Sequence, residues 1–214
     1  MRLGIIGAGD LGVQLAHLAR KIGQYEPVAF YDDTRQPGSL VSGIAVAGGL
    51  DAFGQAGTNT SFDALVIAIG YRHLALRQRV FERLRGRFRF ATLIDPQAII
   101  DPTCTVGEGA VVYPGCVLDM NAAVGCNALL NVGCVVAHDS SVGPGCFLSP
   151  AVKLAGFVRL GESVSLGIGT IVIDNVTIAT GVRTGAGAVV TRDIDEPGLY
   201  VGVPAVWKKA VDRI

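Results

Sequence analysis

The stretch Val124-Gly-Cys-Asn-Ala-Leu-Leu130-Asn-Val-Gly-Cys-Val-Val136-Ala-His-Asp-Ser-Ser-Val142-Gly-Pro-Gly-Cys-Phe-Leu148 puts an aliphatic residue at every sixth place. The same step runs back through Leu118, Val112, Val106 and Ile100 to Ile94. It runs forward through Leu154, Leu160, Leu166, Val172 and Ile178 to Val190, and only Thr184 breaks it. Four places after each aliphatic stands a small or β-branched residue, among them Ala110, Ser140 and Thr170. Glycine recurs at the second place, as Gly107, Gly125, Gly143, Gly161, Gly167 and Gly185. Helices and ordinary strands repeat their side chains at shorter periods. A parallel β-helix repeats at six: three short faces close a triangular coil of about 18 residues, and each coil covers its neighbour. About five coils fit between Ile94 and Val190 with no inserted loop. Cys104, Cys116, Cys134 and Cys146 fall at the small inward position, where a thiol is a compact apolar filler. Cys126 lies elsewhere in its hexad and is expected nearer to solvent.

Residues 1–93 read as a separate Rossmann-like α/β domain, with the β-helix and its C-terminal tail over 94–214. Leu3 to Ile6 is a short apolar strand, Gly7-Ala8-Gly9-Asp10-Leu11-Gly12 has the G-x-G-x-x-G spacing, and Val13 to Ile22 continues as a helix closing at Gly23. A second strand, Pro27 to Tyr31, ends at Asp32 and Asp33, where a Rossmann fold places a ribose-binding carboxylate. Ala64 to Ile69 is a buried strand followed by Gly70 and an Arg-rich helix over Arg72 to Leu84. Small strands at Ile44 to Ala47 and Phe90 to Leu93 complete the domain. The glycines permit a tight turn and close approach of a phosphate to the free N–H groups of the helix start. A dehydrogenase normally has a larger second domain, so a nucleotide attached to something else fits better than NAD.

The 214 residues carry 18 acidic and 18 basic side chains and are 50% hydrophobic. That composition excludes a disordered chain, and zero formal net charge with no like-charge block removes the footprint of a nucleic-acid or anionic-membrane binder. The longest apolar stretch, Ala64 to Ile69, is far short of a membrane span. Asp10 interrupts the start too early for a secretory segment, so a cytoplasmic protein is expected. An odd five cysteines without C-x-x-C spacing argue against a disulfide framework and a zinc cage.

Three histidines limit the chemistry. His17 lies within the first helix and His73 just after Gly70, and both read as surface or packing residues. His138 occupies an outward corner beside Asp139. A histidine takes a proton near neutral pH, and a carboxylate fixes its tautomer and supports its charged form. One coil along from His138 is Gly156 and one back is Met120; the corresponding neighbours of Asp139 are Phe157 and Asn121. Gly156 leaves room and a backbone N–H for a developing oxyanion.

The hexads, Asn131-Val-Gly-Cys-Val-Val-Ala-His138-Asp139, the Leu154-Ala-Gly156 step and the ending Val201-Gly-Val-Pro-Ala205 resemble the left-handed β-helix sugar acetyltransferases of the sialic acid O-acetyltransferase type. That group includes the N-acetyltransferases of nucleotide-linked amino sugars such as bacillosamine precursors and perosamine. The resemblance covers nearly the whole chain. It implies left-handed coiling, a homotrimer with sites between subunits, and His138 as general base supported by Asp139. Acetyl-CoA would lie near Phe147, Gly156, Ile168 and Ala186. The sugar nucleotide would use Gly9, Asp10, Leu11, Asp32, Asp33 and Gly70, with Asn131 at the sugar. Where the family often carries Gly-His-Gly, this sequence has Asp10-Leu11-Gly12. The implied activity is N-acetylation of a nucleotide-linked 4-amino-4,6-dideoxyhexose by direct transfer, with no metal. O-acetylation of a sialic acid or related sugar, and a nucleotide-sensing or scaffolding trimer without chemistry, remain open alternatives. A β-helix carbonic anhydrase fails because two of the three histidines lie outside the solenoid.

Overall fold

The computed structural model describes residues 1–53 and 62–211. The chain divides into two compact units, Met1–Leu93 and Ile94–Ile214.

The first unit is built on the strands β1 (Arg2–Ile6), β2 (Glu26–Tyr31), β3 (Leu40–Val41), β4 (Ile44–Gly48) and β5 (Ala64–Ile67), with helices α1 (Asp10–Ile22) and α2 (Leu74–Leu84). The sheet order is β3-β4-β2-β1-β5, parallel except for the β3–β4 pair. β1 and β5 are fully apolar and buried from Leu3 and Ala64 onward, as a parallel sheet covered on both faces requires. A Cβ on Gly12 would strike the Gly7 carbonyl and lie 3.1 Å from the Phe30 ring, so glycine here lets α1 sit tight on the sheet. Tyr31, Phe53, Phe62 and Phe88 stack in tilted and edge-on pairs with centroids 4.7–6.2 Å apart.

Three elements differ from the sequence expectation. The strand expected to run to Ile69 stops at Ile67, and at and beyond its end the buried Arg77 guanidinium donates to the Ile67 and Ile69 carbonyls at 2.7 and 3.2 Å. The strand expected over Phe90–Leu93 is reduced, within this unit, to one bridge from Phe90 to Leu65. The helix expected from Arg72 opens with a 3-10 turn, Tyr71–His73, before α2 begins.

The second unit is a left-handed parallel β-helix. Two-residue rungs pair in parallel one coil apart, Val117 with Val135, Ala123 with Ser141, Leu129 with Phe147, and so on to Val190 without a slip. The aliphatics Val112 through Val190 fill the interior with Cys116, Cys134 and Cys146, while Cys104, near the start of the stack, is only half-buried. Burial pushes the Cys146 thiol up to about 12, which leaves it inert. Thr184, the one break in the repeat, meets Thr170 across the interior at 2.8 Å between hydroxyls and accepts from the Gly167 N–H at 3.0 Å. The chain ends on an antiparallel hairpin, Leu199–Val201 with Val206–Lys209.

Most second-place glycines of the hexads sit where a Cβ would collide with the next coil's backbone, at 2.6 Å from Cys126 N for Gly107 and from Pro144 N for Gly125. The left-handed residue recurs elsewhere, once every hexad, at Gly109, Gly115, Asn121, Asn127, Gly133, Asp139 and onward to Gly187.

Candidate active site

His138 stands on the corner that follows the rung Val135–Val136. Its Nδ1 lies 3.0 Å from Asp139 Oδ2, and the other Asp139 oxygen accepts from Asn121 Nδ2 at 3.0 Å. Those bonds hold the Asp139 carboxyl below the usual range, Asn121 contributing most and His138 next. An ionised carboxylate can only accept, so Nδ1 carries the proton and Nε2 presents its lone pair. Gly156 is buried directly against the ring: a Cβ there would lie 2.7 Å from His138 Cε1 and 2.8 Å from Nε2. Among the described residues the Gly156 N–H has no acceptor, whereas its carbonyl accepts from Asn175. Phe157 closes the third side, its ring edge-on to the imidazole at 5.2 Å and 88°, its N–H bonded to the His138 carbonyl at 3.2 Å. His138 and Asp139 remain part-exposed, at 45% and 32% of their side chains.

Of the residues that the resemblance assigns to the coenzyme, Gly156 stands against His138 and the other three fall elsewhere on the coil. Phe147 is buried in the rung Phe147–Leu148, and Ile168 and Ala186 are exposed one coil apart on the corner that face leads to. Asn131 lies beside that same corner column, half-buried, its backbone bonded to Leu148. Within one chain these do not share a corner with His138.

In the first unit, the turns after β1, β2 and β5 converge on a cavity of about 380 Å³ lined by Gly7, Gly9, Asp32, Asp33, Gly70 and His73 among others. This is the crevice outside the carboxyl ends of the strands, where the order reverses around β1. A Cβ on Gly9 would meet nothing within 4 Å, so the glycine leaves open space at the start of α1. Asp10, Leu11, Gly70 and His73 line an adjoining hollow of about 420 Å³. Asp10 sits in the first turn of α1, favourable to the helix but a competing negative charge for a phosphate there. Asp32 is already engaged: it accepts from the Ala8 N–H at 2.7 Å and from the Thr34 N–H and hydroxyl at 2.8 and 2.6 Å. Burial raises its carboxyl, but the Thr34 and Ala8 bonds and nearby Arg35 outweigh that and hold it low. Asp33 accepts from the Leu50 N–H at 2.7 Å. Each acid thus shapes the cavity wall through backbone bonds, a use the spacing alone did not reveal. His73, read as a surface residue, lines both cavities. Among the described residues, no three metal-ligating side chains gather and no helix is long and apolar enough to cross a membrane.

Residues 2–84 match the family model described as the PglD N-terminal domain. Among curated relatives, a probable mitochondrial UDP-3-O-acylglucosamine N-acyltransferase from Arabidopsis thaliana is 44% identical over 66 residues, and the UDP-3-O-acylglucosamine N-acyltransferase of Albidiferax ferrireducens is 39% identical over 61. Those matches span only 22% and 18% of the relatives' own length, and 29% and 26% of this chain. Solved structures match far more. A variant of GDP-perosamine N-acetyltransferase from Caulobacter crescentus, in complex with CoA and GDP-perosamine, is 34% identical with a TM-score of 0.87, covering 97% of each chain. The acetyltransferase domain of PglB from Neisseria gonorrhoeae is 29% identical with a TM-score of 0.87, covering 97% of this chain and 99% of that one. A likeness of that extent and identity, on a Rossmann-like unit followed by a β-helix, means that the chain belongs to the family of nucleotide-amino-sugar acetyltransferases.

Proposed function

We propose that this protein transfers the acetyl group of acetyl-CoA to the 4-amino group of a nucleotide-linked 4-amino-4,6-dideoxyhexose, directly and with His138 as general base. The observation that carries this reading is the His138–Asp139 pair at 3.0 Å with Gly156 against the ring. Nε2 takes the proton as the amine nitrogen attacks the thioester carbon. The Gly156 N–H stabilises the tetrahedral oxyanion, a contribution of about 3 kcal/mol when well placed. Collapse breaks the C–S bond, and the sulfur leaves as the thiol with the proton returned by His138. No covalent enzyme intermediate arises. General-base assistance supplies about 10²- to 10⁴-fold, and alignment of the two substrates the rest.

Phe147, Ile168 and Ala186 support acetyl-CoA binding from a corner other than that of His138, and two corners of triangular solenoids meet when subunits pack side by side. The reading therefore includes a homotrimer with acetyl-CoA in the groove between neighbours, acting on substrates of the cytoplasm. The nucleotide occupies the crevice of Gly9, Asp10, Leu11, Asp32, Asp33 and Gly70, and Asn131 contacts the sugar. The Caulobacter enzyme solved with CoA and GDP-perosamine supports both ligand assignments.

The test is release of free CoA thiol from acetyl-CoA with UDP-, GDP- and dTDP-linked 4-amino-4,6-dideoxyhexoses and with free sialic acid, for wild type and His138→Asn. Saturable turnover of one nucleotide-linked amine, lost in the variant, is the expected result. Turnover on sialic acid alone would replace N- with O-acetylation. Acetyl-CoA binding without turnover of any acceptor would overturn the enzymatic reading.

A further inference from the structure

From Gly109 to Gly187 every hexad turns on one left-handed residue, and these positions carry Gly, Asn, Asp, Ser or Ala, with a single exception. Phe157 adopts φ +60° at such a corner. A short polar side chain hydrogen-bonds locally in this conformation and glycine enters it freely; a bulky aromatic does neither and strains the backbone. Strain of this kind persists where the surroundings enforce it, and an observed outlier is a reason to look for function. Here the surroundings are the candidate base: the Phe157 ring is edge-on to His138 at 5.2 Å, yet 46% of the residue stays exposed. It is not a core residue held by packing. Met120, one coil back from His138, is likewise 49% exposed. The imidazole therefore opens onto a border of apolar surface, on a corner otherwise made of polar and small groups.

We infer that Phe157, with Met120, is the specificity-determining wall that receives the 6-methyl group of the acceptor sugar and disfavours a 6-hydroxyl. This rests on the proposed N-acetylation at C4. The 4-amino group and the C6 carbon are carried on adjacent ring carbons, so an amine directed at Nε2 brings C6 beside whatever flanks the imidazole. A methyl is complementary to that flank. A hydroxymethyl would turn its oxygen toward a phenyl ring and a thioether that offer no strong hydrogen bond, and an apolar pocket of this kind discriminates by up to roughly 10²-fold.

The strain makes the test clean, because removing Phe157 should stabilise the fold. Wild type, Phe157→Asn and Phe157→Leu are compared on the nucleotide-linked 4-amino-4,6-dideoxyhexose that the panel identifies and on its 6-hydroxy counterpart. Asparagine suits the left-handed corner, so its melting temperature should rise by roughly 2–4 °C. Its kcat/KM for the 6-deoxy acceptor should fall about tenfold or more while the 6-hydroxy acceptor changes little and the acetyl-CoA KM holds. Leucine keeps the apolar wall and should retain most of the preference. A Phe157→Asn enzyme with the wild-type ratio of the two acceptors overturns the assignment of Phe157 alone, and a lowered melting temperature overturns the strain argument beneath it. A wild type that acetylates no nucleotide-linked amine overturns the parent reading and this one together.

Discussion

Replacing Gly156 with alanine places a methyl 2.7 Å from His138 Cε1 and 2.8 Å from Nε2. Carbon atoms in ordinary contact sit about 3.5–4 Å apart, so the imidazole must retreat by roughly 1 Å. Asp139 holds Nδ1 at 3.0 Å on the neighbouring residue, so the retreat either rotates the ring about that bond or breaks it. The backbone at 156 is outside the left-handed region, which lets alanine enter without strain, and the fold should be unharmed. Alanine also keeps the backbone N–H, so the variant isolates the position of the base from the oxyanion contact. A displacement of about 1 Å at a reacting group can cost about 10²-fold, equivalent to about 2.7 kcal/mol of barrier. The assay is steady-state release of CoA thiol with a melting curve on the same sample. The expected result is kcat down by about two orders of magnitude with KM for the nucleotide sugar and the melting temperature nearly unchanged. A variant with wild-type kcat would refute the reasoning, since the ring then either tolerates the methyl or does not act as the base.

Thr184→Val restores the aliphatic repeat yet should destabilise the protein. It leaves the Gly167 N–H without its acceptor, while the Thr170 hydroxyl keeps the Gly185 carbonyl, at a cost of about 1–3 kcal/mol for a buried polar group; thermal melts should show Thr184→Val below wild type, and Thr184→Ser, which keeps the hydroxyl, nearer to it. Asp32, held below its ordinary value of 3.8 by Thr34 and Ala8 against the effect of burial, stabilises the fold above that value, and the contribution is lost as pH falls through its lower folded value. The gap in melting temperature between wild type and Asp32→Asn should hold steady from neutral pH to about 5 and narrow below about 4; a gap that widens on acidification would contradict the assignment.

The solenoid was readable because each rung repeats one coil later, so a single aligned column of aliphatics determines fold, register and the adjacency of His138 to Gly156. The same arithmetic makes Asn121 and Phe157 the neighbours of Asp139, and the structure turns the Phe157 ring onto His138. The repeat marks Phe157 as the one bulky side chain in its column between Gly109 and Gly187, but it does not convey that the backbone there is left-handed. In the first unit the glycine turn and the acids were legible from spacing, but their hydrogen bonds were not. Asp32 and Asp33 accept from backbone N–H groups whose positions depend on how the loops fold. At the end of β5 the Ile67 carbonyl is capped by Arg77, a charged side chain ten residues away that the structure buries completely.

Gly107, Gly125, Gly143, Gly161 and Gly167, at the second place of their hexads, set the pitch of the solenoid by direct backbone contact, with Gly143 against Gly161 between the coil that carries His138 and the coil that carries Gly156. The row works as a spacer of zero thickness. A methyl inserted at Gly143 would act as a shim on one side of the stack, tilting every later coil about that point, and the tilt would be felt most at the far end. Catalytic alignment in such a molecule is a matter of tolerance along an axis: the gap between base and amide is only as accurate as the flush seating of glycines on another edge of the coil.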